Sequence, residues 1–274
     1  MRDEEPKSFV EDTLETIMEA IDANLAEEVA SFGRYLPGAE LHEDEEAQWY
    51  LTGLPSSLFN GVLLARFAEG DIDAKIERTL KPFKERGLPA SWGVGPYTRP
   101  TNLGAYLEAH GLRQVDVSTG MAVDLHALNE EIEAPPGLKI EVVSDQEMLR
   151  HYATVSMRGF DASPEDNDIY FRTYAAIGFG ADLPWRHFIG WLDDQSVAVS
   201  SLLLHAGVAG IYGVAVVPDV RRQGIGAALT LAALREARAR GYHIGVLSPS
   251  EMGLRIYQRI GFREYCKVDI YATD

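Results

Sequence analysis

At 274 residues, 46% of them apolar, the chain is long enough to bury one large core or two modest ones. No apolar run is long enough to cross a bilayer, and the acidic start MRDEEPKSF lacks the basic and apolar regions of a secretory signal, so a cytoplasmic protein is expected. The net charge of −17, with no basic stripe and no interleaving of basic and aromatic residues, argues against nucleic acid as a partner.

The charge is uneven. Residues 1–48 hold fifteen acidic side chains against Arg2, Lys7 and Arg34. Clusters such as Glu27-Glu28 and Glu43-Asp44-Glu45-Glu46 read as a solvated face, with attraction of a cationic amine as the functional alternative. The rest of the first half is less legible, and matching it to the second half as a repeat would place a helix at Ile72–Arg86, a strand at Ala90–Val94, a short helix at 102–110 and a strand at Val115–Leu125. Acids, two prolines and a glycine between Glu130 and Gly137 interrupt the pattern. This marks a linker between two units of domain size, 1–133 and 138–274.

The second unit restarts with a strand from Leu138. A helix from Asp145 to Phe160 follows, opened by Ser144 or Asp145 as N-cap. An acidic loop, Asp161–Asp168, leads to helix Ile169–Ala176, with hydration or attraction of a cationic substrate as its alternative uses. Strands are expected at His187–Leu192, Ser196–His205, Gly210–Val217 and Ile244–Leu247, and from Phe262 to Ala272; helices at Gly224–Arg240 and Met252–Ile260. The single cysteine, Cys266, falls in the last strand, excludes an internal disulfide framework and fits a reducing compartment; a small apolar role outweighs a catalytic thiol.

The segment GVAVVPDVRRQGIGAAL (213–229) is the most specific. A β-branched run ends at Pro218-Asp219, and Arg221-Arg222-Gln223-Gly224-Ile225-Gly226 then leads straight into an alanine-rich helix. A strand turning through glycines into a helix presents free backbone N–H groups and the positive end of a helix dipole, an anion site suited to pyrophosphate. Two arginines add fork-shaped donors. The turn alone is equally compatible with close helix–sheet packing, or with a nucleotide module of another kind; the spacing fits neither a P-loop nor a dinucleotide fingerprint.

The order Val-x-Pro-x-x-Arg-Arg-x-Gly-x-Gly-Ala resembles the acetyl-CoA-binding motif of the GNAT superfamily of N-acetyltransferases, Arg/Gln-x-x-Gly-x-Gly/Ala, with Arg221, Gly224 and Gly226 at its fixed places. A second GNAT-like motif follows at 247–262, LSPSEMGLRIYQRIGF. The resemblance implies an α/β fold with a mixed sheet and acetyl-CoA as co-substrate. It implies CoA contacts from Val214, Val216, Val217, Arg221, Arg222, Gln223, Gly224, Ile225, Gly226 and Ala227. It also implies that the strand before the turn is bulged and splayed from its neighbour, opening a slot for the pantetheine arm, with one N–H polarising the thioester carbonyl. Tyr257, at the family's tyrosine position, would protonate or hydrogen-bond the leaving CoA thiolate; its structural alternative is a core aromatic. Ser250 is read as a helix cap or a CoA contact. No metal is implied.

The first unit carries a weaker echo. Gly111-Leu112 matches Gly261-Phe262, but Gly70-Asp71-Ile72 replaces the glycine turn, placing a negative charge in the anion site, and Leu107 stands where Tyr257 does. Two tandem GNAT-like units are expected, the first degenerate and without a CoA site; an unrelated cap domain is the alternative. The general base is not legible. The strand before the turn has no carboxylate, and Tyr212, His205 and Glu251 are the groups within sequence reach. The expected activity is acetyl transfer to a primary amine on a small molecule, ahead of peptide N-termini or lysines; an acyl-CoA-binding regulatory protein without turnover is the alternative.

Overall fold

The computed structural model describes residues 13–68 and 70–273; the acidic start at 1–9 lies outside the described residues. The first half runs α1 (Leu14–Tyr35), β1 (Glu40–Glu43), β2 (Gln48–Leu51), β3 (Asn60–Leu63), α2 (Ile72–Arg86), β4 (Ser91–Val94), α3 (Leu103–Ala109) and β5 (Arg113–Asp124). The second runs β6 (Lys139–Val142), α4 (Gln146–Phe160), α5 (Pro164–Ile177), β7 (Trp185–Leu192), β8 (Gln195–His205), β9 (Val208–Val216), α6 (Ile225–Ala239), β10 (Ile244–Leu247), α7 (Leu254–Ile260) and β11 (Arg263–Ala272).

Local signals explain the helix boundaries. Asp145 caps α4 through Met148 N at 2.8 Å. The expected acidic loop at Asp161–Asp168 is corrected: α5 starts inside it. Ser163 accepts from Asp166 N at 3.0 Å, Pro164 opens the helix, and Glu165 and Asp166 favour its first turn. The acids there serve the helix start, and Asp168 pairs along the helix with Arg172.

All strands join one mixed 11-stranded sheet in the order β1-β2-β3-β4-β11-β5-β10-β9-β8-β7-β6. Only β3/β4 and β9/β10 pair parallel. The centre of this order is an exchange. The last strand, β11, lies between β4 and β5 of the first half, while β5 lies between β11 and β10 of the second. The halves are thus separate along the chain and interleaved in space.

Helices cover both faces. Ser201 of β8 bonds to Tyr152 of α4, while its neighbour Ser200 bonds to Leu229 of α6, so those helices lie on opposite faces. Tyr212, cross-strand from Ser201, bonds to Asn24, which places α1 beside α4 and α5. Val62 and Trp92 pack with Ile76, Leu80, Phe83, Leu103 and Leu107, placing α2 and α3 on the α6 face.

Helix α1 ties the halves together. Its buried stripe, Ile17, Ile21, Asn24 and Ser31, recurs at helical spacing and crosses the central strands. The Asn24 amide donates to the carbonyl of His205 at 2.9 Å, and Ser31 accepts from Trp185 Nε1 at 3.1 Å. The N-terminal acids are only in part a solvated face, which corrects the reading of Glu27-Glu28. Glu27 is buried in a two-pronged pair with Arg34, both contacts 3.0 Å, and Glu28 is half-buried.

Candidate functional site

The strand before the glycine turn has the shape the resemblance implies. Strand β10 pairs with β9 only at Ala209 and Gly210; beyond Gly210 that edge of β9 has no strand partner among the described residues. On the other edge the pairing with β8 slips. Val199 faces Ala215 and Ser201 faces Tyr212, leaving Gly213 and Val214 opposite Ser200 alone. This is a β-bulge, and Gly213 supplies its φ of +57°. The result is a slot flanked by backbone N–H and C=O groups.

At the end of β9, Val217 is buried and bonded to Val197 O at 2.9 Å; one 3₁₀ turn, Pro218–Val220, follows. Arg221 then does something sequence alone did not indicate. Its Nε donates to Val216 O at 3.0 Å and an Nη to Gly159 O at 2.7 Å, so the guanidinium staples the turn to β9 and α4. Arg222 (φ +62°) and Gln223 are exposed. We expect Arg221→Ala to destabilise the fold by about 1–3 kcal/mol, because two backbone acceptors lose their donor. Arg222→Ala is expected to stay within about 0.5 kcal/mol; urea titrations of both variants check the contrast.

Gly224 takes the N-cap of α6 at φ +81°. The first intrahelical bond there is Ala228 N to Gly224 O at 3.0 Å, so the N–H groups of Ile225, Gly226 and Ala227 have no acceptor among the described residues. The side chains of Ile225 and Ala227 are buried and fix the helix start, while Gly226 looks toward Val214 and Val216 across open contact distances. The equivalent helix of the first half differs. Asp71 caps α2 with its own carboxylate, accepting from Ala74 N at 3.0 Å. A side-chain anion thus already occupies that helix start.

Two sets of groups flank β9. On the α6 side, the half-buried Tyr257 packs edge-on to Phe262 at 5.9 Å and its hydroxyl meets Thr230 of α6. Burial pushes the phenol up to about 12, partly opposed by that hydrogen bond, so it stays protonated. Ser250 is exposed and accepts from Gly253 N at 3.3 Å, the capping geometry.

The α4 side is a polar cluster set in aromatic walls. The Tyr152 hydroxyl bonds to Ser201 Oγ at 2.7 Å, Ser201 Oγ lies 2.8 Å from His187 Nδ1, and the His187 ring lies against Tyr174 at 4.1 Å between centroids, tilted by 35°. His187 is 2% exposed, its Nε2 has no partner, and burial pushes it down to about 3, so it is neutral. The cluster abuts the bulge: a Cβ on Gly213 would lie 3.0 Å from the Tyr152 hydroxyl. Glu28 of α1 is near enough to act electrostatically on Tyr152 and Tyr174, and desolvation pushes its own carboxyl up to about 7.

Of the base candidates drawn from sequence, Tyr212 gives its hydroxyl to Asn24 at 2.6 Å. His205 sits at the end of β8, remote from the bulge, and Glu251 is exposed ahead of α7. Sequence reasoning missed Glu28 because it read two adjacent acids as solvated. The available signal was phase: Glu28 lies four residues after Asn24 and three before Ser31, on the same side of the helix as those buried residues.

Residues 184–264 match the family model described as acetyltransferase (GNAT) domain. Among solved structures, a GCN5-related N-acetyltransferase from Kribbella flavida aligns with a TM-score of 0.72 at 18% identity, covering 94% of this chain and 95% of that one. A tandem GNAT protein from the clavulanic acid biosynthesis pathway gives 0.64 at 16% identity over 98% and 97%. A GCN5-related N-acetyltransferase from Sphaerobacter thermophilus gives 0.64 at 18% identity over 94% and 91%. A search of the curated proteins finds no match. The structural likenesses establish a shared fold, and the family model covers the bulged strand, the glycine turn and Tyr257 together. Residues 184–264 thus match a GNAT acetyltransferase domain, and the chain as a whole shares its fold with GCN5-related N-acetyltransferases.

Proposed function

We propose that the protein is an acetyl-CoA-dependent N-acetyltransferase that moves the acetyl group directly to a primary amine of a small molecule. The observation that supports it best is the combination on one strand: β9 carries a bulge against β8, its other edge has no strand partner beyond Gly210 among the described residues, and it runs into a helix whose first N–H groups are free. Backbone groups of Val214 and Val216 would hold the pantetheine arm, whereas the Val217 N–H is committed to Val197 O and corrects its expected contact. The N–H groups of Ile225, Gly226 and Ala227, with Gln223 and Arg222, would hold the pyrophosphate. Tyr257 would donate to the departing thiolate. Residues 1–133 form a first GNAT-like unit whose cofactor site is closed by Asp71, and 138–274 form the unit that binds CoA. No helix among the described residues is long and apolar enough to cross a membrane.

The lack of a carboxylate on β9 favours one second reading, an acyl-CoA-binding protein without turnover. Melting curves and thiol release separate the two. Acetyl-CoA raises the melting temperature under both readings, since a ligand of the native state stabilises it. Release of free CoA thiol with primary amines is expected of the enzyme only. Stabilisation by ATP or NAD without stabilisation by acetyl-CoA overturns both.

A further inference from the structure

β9 lacks a carboxylate, yet an acetyl acceptor arrives as an ammonium ion and must lose a proton before it attacks. The base must therefore come from an element other than β9. Tyr257 lies on the α6 face. On the α4 face, the charge of one carboxylate of the first half, Glu28, reaches Tyr152, Tyr174 and Tyr212 beside the bulge. Glu28 stands one turn after Asn24, which anchors α1 to the hairpin of β8 and β9 through His205 O and to Tyr212 through its hydroxyl. Ser31 fixes the next turn against Trp185. Glu28 is therefore held on α1 between one anchor to the β8–β9 hairpin and one to β7.

Its surroundings suit a proton acceptor. Tyr50 of β2, Tyr152 of α4, Tyr170 and Tyr174 of α5 and Tyr212 of β9 all feel the charge of Glu28. Burial, first of all, pushes each of these phenols up, so all are neutral near pH 7. His187, beyond Tyr152 and Ser201, is neutral as well. On α1 itself, the adjacent Glu27 is committed to Arg34. No cation and no hydrogen-bond donor engages the Glu28 carboxylate among the described residues, whereas the nearby Asn24, Glu27 and Ser31 are all bonded.

We propose that Glu28 is the general base of the transfer, so that the first unit completes the active site of the second. This rests on the acetyltransferase reading. Glu28 takes one proton from the substrate ammonium. The freed nitrogen lone pair forms the C–N bond to the thioester carbonyl carbon, and the C–S bond breaks. The thiolate takes a proton from Tyr257, which is restored by the second proton leaving the nitrogen; the proton on Glu28 passes to solvent. The ammonium thus loses two protons, one to CoA thiol and one to water. A carboxyl raised by burial into the neutral range is matched to this task.

The test uses the full chain, acetyl-CoA and a panel of aliphatic, aromatic and sugar primary amines, with free thiol as the readout. Glu28→Gln is expected to lower kcat by roughly 10²-fold while the KM for acetyl-CoA stays within about 3-fold. Wild-type kcat should rise with pH through about 7. That limb should vanish in Glu28→Gln and return in Glu28→Asp. A second readout needs no acceptor. Because the folded state holds the Glu28 proton more tightly than the unfolded chain, wild-type stability falls as pH rises from the ordinary carboxyl range through about 7. Glu28→Gln should therefore melt higher than wild type at pH 8 and no higher at pH 4. Turnover insensitive to Glu28→Gln, or an acidic limb unchanged in that variant, overturns the base assignment alone. Absence of acetyl-CoA stabilisation and of turnover with every amine overturns the enzyme reading beneath it.

Discussion

Tyr257→Phe is expected to lower kcat by roughly 10²-fold or more, with the acetyl-CoA melting shift retained. The substitution removes one oxygen and keeps the ring, which packs against Phe262 and over Gly253. The structural cost is confined to the contact with Thr230, about 0.5–1.5 kcal/mol for a single hydrogen bond. A core-only role for Tyr257 therefore predicts a small drop in melting temperature and an unchanged kcat. A donor role predicts the reverse weighting. Because burial raises this phenol, it remains protonated across the neutral range, and its ionisation should add no limb to the pH profile near 7. Steady-state kinetics with the best amine, beside melting curves with and without acetyl-CoA, decide between the two.

The elements that carry the cofactor motif were legible because their signals are local. Pro218, the paired arginines and the glycines punctuate the chain at fixed offsets, and the helix after them has an unbroken apolar period. Ser163-Pro164 was an equally local signal, a cap followed by proline, outweighed by the count of acids around it. The exchange of β5 and β11 was not legible. Each strand has ordinary β-propensity, and its neighbours are chosen by pairing between residues far apart in sequence, such as Val268 with Ser118. Glu28 fell between these cases. Its residue type suggested solvent and its position in the helical period suggested burial; the position decided its environment.

Gly224→Ala is expected to abolish stabilisation by acetyl-CoA and to destabilise the fold by roughly 1–3 kcal/mol. Gly226→Ala, two residues later, should cost less than about 1 kcal/mol. The two glycines differ in what surrounds them. Gly224 has φ +81°, and a Cβ there would collide with the carbonyl oxygen of Glu133. That carbonyl belongs to a segment that cannot easily retreat. Glu130 pairs with Arg235 at 2.7 Å and with Arg238 at 2.9 Å, and Asn129 N donates to Ile260 O at 2.9 Å. The hydrogen bond from Arg235, first of all, holds the Glu130 carboxyl below its ordinary value, so the pairing persists at neutral pH. An alanine at 224 therefore displaces the turn rather than the linker, and the N–H groups of 225–227 lose their common direction. A Cβ at Gly226 would meet only the side chains of Val216 and Val214 at 3.5 and 3.8 Å, ordinary packing distances. Alanine also suits a helix better than glycine. If Gly224→Ala still gains the full acetyl-CoA melting shift, the glycine turn is a packing device and the pyrophosphate lies elsewhere.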